Sequence, residues 1–140
     1  LSIFEEIKDR AQPLIERNDV ILLTVESNIL VNALQNFASV VIQKSKREGF
    51  GLTVTEALWK ETPVVASRVG GIPLQIEDGK NGFLLEAEDN DGFAARTAEL
   101  LKDEKLAEKF GAAGKEKVRQ KFLVTRIVSD YLDLLNDLKR

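Results

Sequence analysis

The stretch Ser39–Gly71, SVVIQKSKREGFGLTVTEALWKETPVVASRVGG, decides the fold. Ser39-Val-Val-Ile-Gln43 and Pro63-Val-Val-Ala66 are short apolar runs rich in β-branched residues, as strands covered on both faces require. Pro63 stands at the first strand position, where a missing N–H is tolerated. Between the two runs, the residues from Gly51 to about Lys60 carry a helical pattern. Strand, glycine-bearing loop, helix and strand make a βαβ unit, which predicts a parallel sheet.

Working outward, Val20-Ile-Leu-Leu-Thr-Val25 reads as an earlier buried strand, and Asn28 as the cap of a helix over about Ile29–Phe37. Gly70-Gly71 marks a sharp turn, and Asp78-Gly79 with Asn81-Gly82 brackets another that feeds a strand at Phe83-Leu-Leu85. Ser2 to about Arg17 has Ile3, Phe4, Ile7, Ala11, Leu14 and Ile15 at helical spacing, with Pro13 expected to break or kink the helix. Helices are predicted over about Asp91–Leu101, over Glu104–Gln120 with Leu106, Phe110, Val118 and Phe122 on one stripe, and over Val124–Leu138. The last is the most amphipathic, and its apolar stripe is expected to dock on something. The fold class is therefore α/β: one Rossmann-like parallel sheet with helices on both faces, spanning residues 1–140 as a single domain.

Composition narrows the chemistry. The 140 residues are 44% hydrophobic and 31% charged, without a long apolar run, which excludes a disordered chain and a membrane-spanning helix. Residues 1–17 are too charged for a secretory leader, so a cytoplasmic protein is expected. There is no cysteine and no histidine, which excludes disulfides, thiolate zinc sites and serine–histidine hydrolysis. The net charge of −3 argues against a nucleic-acid partner. The excess of basic residues after residue 100 reads as a solvated helix face. A first residue of Leu and the lack of methionine give the expectation of an excised piece of a longer chain.

Candidate chemistry lies in Glu48-Gly-Phe-Gly-Leu-Thr-Val-Thr-Glu56, joining strand to helix. Glycines 49 and 51 let a ligand approach the main chain, and the following helix offers unpaired N–H groups and its positive dipole end to a phosphate or diphosphate. Glu56 is then placed to accept hydrogen bonds from a sugar diol. Thr53-Val-Thr-Glu56 equally fits a capping box, in which Glu56 does no more than cap the helix. Because parallel sheets bind ligands at the carboxyl ends of their strands, Glu48 and the pair Gly70-Gly71 are expected on one rim, as two loops forming a cleft. Glu86-Ala-Glu-Asp-Asn-Asp91 does not match the calcium-loop spacing and reads as loop solvation and capping, so no metal site is predicted. Trp59 reads as a core residue.

The words Ser45–Trp59, Pro63-Val-Val-Ala66, Gly70-Gly-Ile-Pro73, Asp78-Gly79 and Asn81-Gly-Phe-Leu84, taken in order, resemble the carboxy-terminal, donor-binding domain of retaining glycosyltransferases of the GT-B fold, family 4. Within that family, Glu48-Gly-Phe-Gly-Leu-Thr-Val-Thr-Glu-Ala-Leu-Trp-Lys60 and Gly70-Gly-Ile-Pro-Leu-Gln-Ile-Glu-Asp-Gly79 are most similar to the trehalose synthase subgroup of the glycosyltransferring type. Many other members have a Pro-Glu pair where this chain has Pro73-Leu74-Gln75. The resemblance implies transfer of glucose from an NDP-glucose to glucose, forming trehalose, with no cofactor and with UDP, ADP and GDP all open. It implies that Glu48, the catalytic candidate, lies beside the donor sugar and that Glu56 holds the ribose hydroxyls. The N–H groups around Gly49, Phe50, Gly51, Leu52 and Thr53 would meet sugar and diphosphate, with Gly70 and Gly71 as additional cleft residues and Glu26 and Ser27 near the base.

The resemblance also sets expectations of what is lacking. Donor domains of this family open with two further strands, whose loop carries an Arg and a Lys that clamp the diphosphate, and an amino-terminal domain binds the acceptor. Neither matches a segment of this sequence, and Lys44, Lys46, Arg47 and Arg68 are not identified as that pair. The chain alone is therefore expected to have little or no transferase activity. Val20–Val25 would also lack its neighbour, so it must move beside Ser39–Gln43, pair with another chain, or pair with protein outside this sequence. The stripe of the last helix is expected to be exposed or used in a homodimer. The alternative function is a noncatalytic α/β interaction or engineered fragment that keeps the motif as scaffold.

Overall fold

The structure, a computed structural model, describes residues 2–138. The elements in chain order are α1 (Ile3–Glu16), α2 (Asn28–Phe37), β1 (Val41–Gln43), α3 (Leu52–Trp59), β2 (Val64–Ser67), α4 (Ile72–Gln75), β3 (Phe83–Leu85), α5 (Asn90–Lys102), α6 (Glu104–Lys121) and α7 (Val124–Asp137). The three strands form one parallel sheet in the order β1-β2-β3. Val41 faces Val64 across the first pair and Val65 faces Phe83 across the second. All three carboxyl ends therefore lie on one edge, and the loops after Gln43, Ser67 and Leu85 share it.

Strand alternation sends side chains to two cores. Val64, Ala66 and Leu84 pack with Val54, Ala57 and Leu58 of α3, Ile72, Ile76 and Val118. Val65 and Phe83 pack on the other face with Phe93 and Leu100 of α5 and with Phe110. Helix α6 supplies Val118 to the first cluster and Phe110 to the second, so it closes both faces. Phe83 and Phe110 meet edge to face with ring centres 5.1 Å apart. Two glycines let α6 come close: a Cβ at Gly111 would overlap the Glu61 carbonyl, and one at Gly114 would press on Leu58.

Several expectations are corrected. Val20–Val25 is not a strand: residues 20–27 have no regular secondary structure. Ile21, Leu23 and Val25 are exposed, Ile21 at 77%. A strand exists only through its ladder, and among the described residues β1 pairs with β2 alone, so Val20–Val25 does not move beside it. Helix α1 runs through Pro13 without a break. The carbonyl of Asp9 loses its i+4 donor there, but both residues are exposed and water can reach it. Ser27, not Asn28, caps α2, its hydroxyl accepting from the Leu30 N–H at 3.2 Å. Trp59 is half exposed, with the Lys115 ammonium 5.8 Å from its ring centre, and so is not core. The short helix α4 was not anticipated.

Apolar surface remains uncovered. The stripe of α7 contains no buried residue, and α2 turns Ile29 and Phe37 outward at 84% and 89% exposure while burying the polar Gln35. Among the described residues, no helix is long and apolar enough to cross a membrane.

Candidate functional site

The loop from Lys44 to Gly51 leaves the carboxyl end of β1 and enters α3 through Gly51, whose φ of +86° is a left-handed conformation that glycine adopts without penalty. The Gly51 carbonyl accepts from the N–H groups of Val54, at 2.9 Å, and Thr55, at 3.4 Å, which starts the helix without a side-chain cap. The capping box is therefore not formed: Thr53 is already the second helical residue, and Glu56 does not reach back to it. Among the described residues, the N–H groups of Phe50, Gly51, Leu52 and Thr53 donate to no protein acceptor. Four donors at the positive end of a helix, on the carboxyl rim of a parallel sheet, form an anion-receptive edge.

The two acids flank this edge with different tethers. Glu48 is half-buried; one carboxylate oxygen accepts from the Gly49 N–H at 2.9 Å and the other from the Gln43 side-chain amide at 3.3 Å. Glu56, on the exposed side of α3, accepts from the Gln35 amide at 3.1 Å. Beside it Asn28, Val31, Asn32, Gln35, Glu56 and Lys60 line a cavity of about 390 Å³, polar except for Val31.

The Gly70-Gly71 turn lies against the motif loop. The Gly71 N–H donates to the Gly49 carbonyl at 2.7 Å. Gly70 has φ +55°, and a Cβ there would overlap the Glu48 carbonyl oxygen. The two loops thus touch through main chain at this point, so the close approach that Gly70 permits is of protein to protein. Gln75, fully buried in α4, ties the same loop from beneath: its amide nitrogen donates to the Phe50 carbonyl and its oxygen accepts from the Thr55 hydroxyl at 2.6 Å. With the Phe50 carbonyl drawn inward, the loop's orientation is held by a side chain rather than by helix or sheet.

The basic residues divide into two kinds. Lys44 donates to the Ala87 carbonyl and lies 5.5 Å from the Phe93 ring centre, joining the loops after β1 and β3. Arg68 reaches Leu84 O at 3.4 Å, Asp78 at 3.8 Å and Glu86 at 3.9 Å. Lys46 and Arg47 are exposed and form no ion pair among the described residues. Glu26 is exposed in the irregular segment before α2, and the Ser27 hydroxyl is committed to its cap. In the acidic run after β3, Asp89 caps α5 by accepting from the Gly92 N–H at 2.8 Å.

Sequence spacing missed Gln35 and Gln75, the two buried amides that hold the motif. The readable signal was a glutamine among the apolar positions of each short helix, which burial converts into an obligation to find partners.

Comparison with known proteins places this geometry. The family model described as Glycosyl transferases group 1 matches residues 4–117. Trehalose synthase of Rubrobacter xylanophilus is 54% identical over 112 residues, 80% of this chain and 26% of that protein. The chain spans about a quarter of the length of the trehalose synthases it matches. Sucrose-phosphate synthase from Thermosynechococcus elongatus superposes with a TM-score of 0.82 at 26% identity, over 96% of this chain and 34% of that one. A mutant of S. aureus TarM in complex with fondaparinux, alpha-GlcNAc-glycerol and UDP superposes at 0.75 with 28% identity, over 93% of this chain and 27% of that one. The chain belongs to the glycosyl transferases group 1 family.

Proposed function

We propose that the chain carries the nucleotide-sugar donor site of a retaining glycosyltransferase that moves glucose from an NDP-glucose to glucose, forming trehalose. The observation that carries the reading is the row of four N–H groups, Phe50 to Thr53, without protein acceptors at the start of α3. The likeness to trehalose synthase supports the choice of sugar and acceptor. The TarM complex makes UDP the first nucleotide to test.

In this reading the diphosphate sits on those N–H groups. As the bond from the anomeric carbon to the phosphate oxygen breaks, negative charge grows on the leaving group where fixed donors and the helix dipole already point. The acceptor hydroxyl adds from the face the leaving group vacates, and its proton passes to the departing phosphate oxygen. Glu48, its carboxylate held by Gly49 and Gln43, lies beside the sugar; Glu56 accepts from the ribose hydroxyls. No metal or cofactor is called for, and the acceptor is held by another part of the full-length enzyme, which we place in the cytoplasm.

The scaffold reading has one observation in its favour: the close approach allowed by Gly70 and Gly71 is taken up by the main chain of Glu48–Phe50. Calorimetric titration with UDP, ADP, GDP and UDP-glucose separates the two. A donor site predicts saturable binding that Glu56→Ala abolishes while circular dichroism shows an intact fold. No binding of any of the four to the folded chain would mean that the strand and basic pair this sequence lacks are indispensable to the site, or that the motif here is only scaffold.

A further inference from the structure

Glu56 and Lys60 stand four residues apart on α3, acid before base, the order and spacing at which a helical ion pair is most favourable. Among the described residues that pair is not made. The Lys60 ammonium instead donates to the side-chain oxygen of Gln35 at 2.8 Å, and the nitrogen of the same amide donates to one oxygen of Glu56 at 3.1 Å. A carboxylate can only accept and an ammonium can only donate, so the amide has one permitted orientation between them. Gln35 is itself anchored: it is 5% exposed, and its main-chain carbonyl accepts from the Thr62 hydroxyl at 2.6 Å.

The burial is unusual for its helix. Helix α2 leaves Ile29, Leu34 and Phe37 in solvent and turns an amide inward, a choice that costs free energy unless both ends of the amide are satisfied. Here both are, by the two residues that would otherwise neutralise each other. The remaining oxygen of Glu56 has no protein donor among the described residues, and the residue is exposed.

We infer that Gln35 is a positioning residue for the donor site: it fixes one oxygen of Glu56, keeps Lys60 off the carboxylate, and so leaves the other oxygen free to take a hydroxyl pair. The inference rests on the reading of Glu56 as the ribose-binding acid. Gln35→Leu removes both contacts and lets Lys60 fall back on Glu56. UDP affinity of the chain is then expected to drop about tenfold, a change of about 1.4 kcal/mol. The preference for UDP over 2′-deoxy-UDP should narrow by a similar factor.

The diagnostic step is the double variant Gln35→Leu/Lys60→Met, which removes the competing cation and should recover at least threefold of the lost affinity. A residue that merely held the fold together would weaken both nucleotides alike and would not be rescued. Gln35→Met, unbranched and of the same length, replaces the leucine variant if circular dichroism shows that the latter does not fold. If UDP binds wild type and Glu56→Ala abolishes binding, but Gln35→Leu leaves both affinity and discrimination unchanged, the inference is wrong and the donor-site reading stands. If wild type binds none of UDP, ADP or GDP, the donor-site reading fails and the inference fails with it.

Discussion

Replacing Gly70 with alanine should separate the two loops that make the rim. Three costs add at this one position. The residue has φ +55°, which costs an L-residue about 1–2 kcal/mol. The new Cβ would overlap the Glu48 carbonyl oxygen and crowd Glu48 C and Gly49 O, all main-chain atoms that no rotamer change can move aside. Relief therefore requires the turn to lift away, which breaks the 2.7 Å bond from the Gly71 N–H to the Gly49 carbonyl, worth about 0.5–1.5 kcal/mol. With about 1–3 kcal/mol for the overlap, the sum is a loss of about 2.5–6.5 kcal/mol, or about 8–20 °C in the melting midpoint of a chain this size. Gly49→Ala is the matched control, because a Cβ there meets nothing within 4 Å, and it should stay within about 0.5 kcal/mol of wild type. Thermal and urea unfolding followed by circular dichroism measure both. Equal midpoints for the two variants would refute the main-chain contact between the loops.

Gln75→Leu should cost about 2–4 kcal/mol in urea unfolding, since it leaves the Phe50 carbonyl and the Thr55 hydroxyl without their buried partner. Glu77, bonded to Lys117 and Lys80, has its carboxyl lowered from 4.5 to about 2 by those hydrogen bonds. A depressed folded value means stability that is present above pH 4.5 and lost as pH falls toward 2. Wild type should therefore exceed Glu77→Gln in urea midpoint at pH 6. The gap should close by pH 2 and shrink in 1 M salt, because Glu77 and Lys80 are exposed; a gap independent of pH would contradict the ion-pair assignment.

Strands β1 and β2 could be read from local sequence as apolar, β-branched runs, Val40-Val-Ile42 and Val64-Val65 after Pro63, and β3 as the apolar run Phe83-Leu-Leu85 entered through Asn81-Gly82. The same signal misled at Val20–Val25, where composition is equally strand-like but no described segment offers a ladder. Pro13 was overread for a complementary reason: the cost of a lost helical bond depends on whether water can replace it, which local sequence does not state. At the site, Glu48 to Glu56 was legible as a glycine loop entering a helix. The capping box was not distinguishable from it until Gly51 proved to be the helix start, which moved Thr53 inside. Gln35 and Gln75 act on Glu56 and on the Phe50–Thr55 turn from separate helices. No spacing rule relates residues that distant, so only the folded chain joins them.

The agreement between strand order in space and strand order in the chain bears on how this molecule is made. Each strand pairs with one only a helix away, so among the described residues the sheet can grow outward along the chain without waiting for a distant segment, and each closure spans 20 residues or fewer. Assembly is nevertheless not committed strand by strand. Phe110 and Val118 of α6 seal opposite faces, so neither core is dry until that helix has docked. Helix α6 therefore works as a latch: one docked helix closes both faces of the sheet together.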